Sequence, residues 1–244
     1  MKLAFPLAAA MALAVLPCLS FTAAAEDMFK NEGGISSPLL SRCAGKFGAE
    51  VRAADSAFPA LALFGVPWMT IEPTQQTVNG DRIVAIVTGI GAHNRRRGEI
   101  AALRFRCLID DKGDAASFTW RELLPERHEA LPPATVLRGT AYYAPKTTLA
   151  PGTELCVQLF DRASAPPVLL TEAVVRSSWV EPIPFGLLVP PDMKLGGRKL
   201  VIEMRIALGS QILFRLKEPK VLALDQLQQP IDVSLDEVVG SAVN

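Results

Sequence analysis

RKLVIEMRIALGSQILFRLK, residues 198–217, decides the fold. Leu200, Ile202, Met204 and Ile206 recur at every second position, so in an extended chain they share one face. Gly209-Ser210 then interrupts the run as a tight connection, and Ile212, Phe214 and Leu216 resume the alternation. The pattern predicts an antiparallel hairpin with one buried face. Working outward, ATVLRGTAYY, TELCVQLFD, PVLLTEAVVR and PIPFGLLV precede it, and KVLAL follows. LAPG, SAPP, VPPDMKLGG, LGS and KEP separate these runs, all turn or breaker signals. Short strands at regular spacing with no helical period between them predict an antiparallel β-sandwich over residues 134–225, with 226–244 as a tail.

Upstream, charges and then Pro132-Pro133 in ERHEALPPA predict a linker at 126–133. The stretch 36–125 before it has a different texture and reads as a small α+β unit. Ser37 is a natural N-cap and Pro38 suits the first helical position. Leu40, Cys43, Phe47 and Val51 then fall on one helical face. An irregular strand over 61–71, broken near Pro67, is followed by the Asn79-Gly80 turn and a strand at 82–91. IAALRFRCLID comes next, placing Leu103, Phe105, Cys107 and Ile109 on one face and Arg104 and Arg106 on the other. DDKGD turns into a last strand through Phe118 and Trp120. The expected unit is one helix laid on an antiparallel meander, and the fold class is mainly β.

Cys43 and Cys107 both point into the core of that unit, so a disulfide between them is expected, with Cys156 left as a free thiol. An oxidising compartment follows from the N-terminus as well. Lys2, an apolar run to Leu19 and Ala23-Ala24-Ala25 form a secretory signal, with cleavage expected near Ala25 and a flexible lead over 26–35. Val15-Leu16-Pro17-Cys18 is a degenerate lipobox, and Pro17 fits it poorly, so the expected product is a soluble periplasmic chain, not a lipoprotein held through Cys18. No later run is long and apolar enough to span a bilayer.

Composition narrows the function. Among 244 residues, 25 Lys plus Arg face 25 Asp plus Glu, which gives no basic excess for nucleic acid, while half of the residues are hydrophobic, too many for a disordered chain. Gly89-Ile90-Gly91-Ala92-His93-Asn94 follows a strand as a dinucleotide fingerprint does, but it runs into Arg95-Arg96-Arg97 and not into an apolar helix. Only His93 and His128 could act as neutral-pH bases, and neither lies in a nucleophile motif. No cofactor, catalytic residue or metal set is expected, since Asp110, Asp111 and Asp114 lack the spacing of a calcium loop. Arg95, Arg96 and Arg97, with Arg104 and Arg106 on the adjoining strand, form the candidate surface for an anion or a partner.

Over residues 132–225 the sequence resembles the YbaY-like family, which includes pilotin-type lipoprotein chaperones of type III secretion. The residues that carry the resemblance are Arg138-Gly139-Thr140-Ala141-Tyr142-Tyr143, the run Leu149 to Asp161, Pro182-Ile183-Pro184-Phe185, and MRI (204–206) with ILF (212–214). It implies a non-enzymatic β-sandwich of the bacterial envelope, and the expected partner is an envelope protein or anionic polymer. The helical unit at 36–125 lies outside it. Two other classes remain open from the residues: an enzyme acting on cell-wall or glycan material through scattered carboxylates, and an inhibitor that inserts the arginine tip into a hydrolase cleft.

Overall fold

The computed structural model describes residues 38–54, 60–94, 100–124, 132–144, 148–177 and 181–238. One helix, α1 (Pro38–Ala54), precedes β1 (Ala60–Phe64), β2 (Met69–Val78), β3 (Asp81–Asn94), β4 (Ile100–Asp110) and β5 (Ala115–Glu122). The remaining strands are β6 (Thr135–Ala144), β7 (Thr153–Asp161), β8 (Val168–Ser177), β9 (Ile183–Val189), β10 (Leu200–Leu208), β11 (Gln211–Arg215), β12 (Lys220–Leu222) and β13 (Ile231–Glu237). All thirteen belong to one sheet in the order β5-β4-β3-β1-β8-β7-β10-β11-β13-β6-β9, with β2 added on β3 and β12 on β10. The fold is mainly β, as the alternation predicts.

Its centre is the short strand β1. Leu61, Ala62 and Leu63 pair with His93, Ala92 and Gly91 of β3 on one side, while Ala60–Phe64 pair with Ser177–Ala173 of β8 on the other. The stretches read as separate units, 36–125 and 134–225, therefore contribute to one continuous sheet. Gly91 shows why the seam is tight: a Cβ there would come within 2.6 Å of the Ala62 carbonyl oxygen. Gly89 and Gly91 thus serve close packing within a strand that continues through Asn94.

Each face of the sheet has its own core. On the outer face, α1 lays Leu39, Leu40, Cys43, Ala44 and Phe47 against buried residues that include Leu63, Val87, Leu103, Phe105 and Phe118. Phe47 meets Phe118 edge-on at 5.2 Å, and Cys43 is disulfide-bonded to Cys107 across 64 residues. On the inner face, the sheet rolls until β9 packs against β8, enclosing Leu155, Val157, Leu159, Ile202, Met204 and Ile206 with their neighbours. Cys156 points away from Leu155 and Val157 as expected, and it is a buried free thiol. Tyr143 packs on Phe214 in the inner core, where burial, and then the Glu181 carboxylate, push its phenol above the ordinary value.

Two expectations need correction. The tail at 226–244 contains β13, in which Ile231, Val233 and Leu235 alternate inward and are buried. That strand runs parallel to β6 and antiparallel to β11, so the C-terminal sheet is mixed where an antiparallel one was expected. The stretch 61–71 is broken near Pro67 as expected: two strands are joined by a turn at Gly65–Trp68 that contains the cis Val66-Pro67 peptide. The signal and lead, the Ser37 cap, and residues 125–131 of the linker, including His128, lie outside the described residues.

Candidate partner-binding groove

The register of the meander builds the site. Thr70 of β2 pairs with Thr88 of β3, Thr88 with Arg106 of β4, and Arg106 with Thr119 of β5, so these four side chains form one row across four strands. The Thr70 and Thr88 hydroxyls lie 2.7 Å apart in a hydrogen bond. The next row is Ile90, Arg104 and Arg121. Ile90 belongs to the inner core, so both rows lie on the inner face, which is apolar around β1 and turns cationic over β4 and β5. Arg104 and Arg121 stand directly opposite each other, the placement in which like charges repel.

These rows floor an open groove of about 750 Å³ whose lining also includes Trp68 and Pro132. No Asp or Glu is among the described residues that line it. Among the described residues, neither Arg104 nor Arg106 has an ion-pair partner, and both side chains are exposed. At Trp68 and Pro132 the groove meets a second hollow of about 480 Å³, walled by Pro67, Pro133, Pro190, Pro191 and Met193, with Asp192 the one carboxylate among the described residues that line it.

Trp68 fixes the junction. Its Nε1 donates to the Leu188 carbonyl of β9 at 2.7 Å, and the Thr171 hydroxyl donates to the same oxygen at 2.8 Å. Two side chains thereby occupy an edge carbonyl of the last strand in the roll. Trp68→Phe keeps most of the ring packing and removes one neutral hydrogen bond, so a loss of about 1 kcal/mol is expected in urea unfolding. Unchanged stability would mean that the indole N–H contributes nothing to the junction.

The structure places Arg104 and Arg106 together in the groove, whereas Arg95, Arg96 and Arg97 lie outside the described residues. Sequence reasoning did not single out Arg121, although the signal was present: with Phe118 and Trp120 on one face, alternation puts Thr119 and Arg121 on the other. His93 is not in the groove. It is buried on the outer face, with Nε2 2.8 Å from Glu122 Oε1 and its ring edge-on to Trp120. Asp110 acts as a turn residue, its Oδ1 accepting the backbone N–H groups of Lys112 and Asp114. Among the described residues, no cluster of His, Cys, Asp and Glu could hold a metal ion, and no helix is long and apolar enough to cross a membrane.

The mixed roll that carries β6 to β13 is also where the comparisons fall. Residues 132–235 match the type III secretion system lipoprotein chaperone family (YscW). The resemblance read from the sequence is thus shown for this segment. The YscW match reaches ten residues beyond the expected end at 225 and takes in Ile231, Val233 and Leu235, the buried residues of β13. Of the groove, it includes Pro132 alone; the arginines, the threonines and Trp68 precede it. A solved structure, that of an alternative pilotin from the type II secretion system of Vibrio cholerae, is similar over 43% of this chain and 97% of its own, at 16% identity and a TM-score of 0.39. No curated protein matches the chain.

Proposed function

We propose that this chain is a non-enzymatic periplasmic protein that binds a protein partner of the envelope, in the manner of a secretion chaperone. The observation that carries the reading is the YscW match over 132–235, a family of lipoprotein chaperones by its description. The groove supports it from the other side. Hydrolysis of glycans needs two carboxylates facing one bond, whereas the described residues that line the groove are arginines, threonines, Trp68 and their neighbours, without a carboxylate. A cationic, partly aromatic concavity suits recognition.

The test uses the tagged full chain crosslinked in living cells, with co-purified proteins identified by mass spectrometry after fractionation. One dominant envelope protein at near-stoichiometric yield is the expected result. Recovery of nothing above background, from cells in which the tagged chain reaches the periplasm, would overturn the reading.

A further inference from the structure

We infer that the groove on the inner face binds an extended acidic segment of a partner protein, with Arg104 and Arg106 receiving its carboxylates and the Trp68–Met193 hollow receiving an apolar side chain beside them. This rests on the partner-binding reading and names the chemistry of the partner.

Charge complementarity is the first ground. Two exposed arginines lie two residues apart on one strand, a third faces Arg104 across the pair, and none of the described residues that line the groove with them is a carboxylate. An arginine fork presents paired N–H donors that match a carboxylate in its plane, so an occupant with several carboxylates gains bidentate hydrogen bonds from Arg104 and Arg106. Thr70, Thr88 and Thr119 form a row of short hydroxyl side chains beside the arginines, so the floor stays low and polar where an occupant's backbone would lie.

Shape and mixed chemistry favour a polypeptide. From β5 to β2 is three strand spacings, about 14 Å, which roughly four extended residues cover. At that distance the surface changes to proline rings, the Trp68 indole and the Met193 thioether. A peptide can carry carboxylates and then a leucine-like side chain within that length. An anionic polysaccharide has no such side chain, and a lipid surface is flat where this site is concave.

Fluorescence anisotropy on the purified full chain tests this with a fluorescein-labelled peptide of two leucines followed by six glutamates. Binding that weakens at high salt is expected, with an approximately tenfold rise in Kd for the Arg104→Ala/Arg106→Ala double variant. Arg104→Lys/Arg106→Lys, which keeps charge but loses the fork, is expected to fall between the two. Replacing the leucines of the peptide by serines should weaken binding about fivefold. Both arginines are exposed, so the variants should melt like the parent. Equal affinity of the alanine variant and the parent would overturn the inference, as would absence of peptide binding. Tighter binding of a sulfated hexasaccharide or of phosphatidylglycerol vesicles than of the peptide would overturn it as well. A dominant crosslinked partner in cells together with no peptide binding removes this inference and leaves the partner reading standing. Peptide binding with no cellular partner shows the groove's chemistry but overturns the partner reading, and with it the assignment of the groove to a partner protein.

Discussion

Replacing Cys43 and Cys107 together by alanine is expected to lower the melting temperature by about 10 °C. The bridge joins residues 64 apart, and in the loop-entropy account closing a loop of that length removes about 4 kcal/mol of unfolded-chain freedom. For a domain of this size each kcal/mol moves the midpoint by roughly 2–4 °C. Both sulfurs are wholly buried between α1 and β4, so the effect adds to a loss of packing under the helix. Differential scanning fluorimetry of parent and variant, with a parallel melt of the parent under reductant, measures it. A shift below about 2 °C in both would show that the helix holds the outer core without the bridge.

A still larger loss is expected from ending the chain after Gln229. That removes β13, the strand between β11 and β6, and with it the buried side chains Ile231, Val233 and Leu235. Removing a buried aliphatic side chain down to Ala costs about 2–5 kcal/mol, so three such losses are of the same size as the roughly 5–15 kcal/mol that separates folded from unfolded in most domains. Backbone hydrogen bonds to β6 from Gly139 to Ala144 would go too. The truncated chain should show no cooperative urea transition by circular dichroism, and Leu235→Asp should shift the midpoint strongly in the same direction. A truncated chain that unfolds at the parent midpoint would remove β13 from the core.

Alternation made most of this legible. Leu200 to Ile206 and Leu103 to Ile109 each repeat at two residues, and the α1 residues Leu40, Cys43 and Phe47 repeat at three and four, so strand faces, helix face and the disulfide pairing could all be read locally. Arg104 and Arg106 were visible as the exposed side of one such strand. What escaped reading depends on distant partners. β1 is five residues long, and its role comes from pairing with β8, more than a hundred positions later. In β13, Asp232, Ser234 and Asp236 intervene between the apolar residues and make the segment look like solvent-facing tail, when its inward face completes the inner core. Trp68 gains its place from a carbonyl 120 residues away, which no local pattern encodes.

The position of β13 also orders events in time. The strand that inserts between β11 and β6 is made after the other twelve strands of the sheet, and β9 reaches the sheet only through β6. The β6-β9 pair must therefore wait with β6 unpaired along its second edge until residue 237 has been made, while the α1 meander can oxidise and pack much earlier. Maturation of the nascent chain is consequently late and abrupt in its C-terminal half. That interval, with an apolar strand edge exposed, is when the protein is most open to mispairing with other chains.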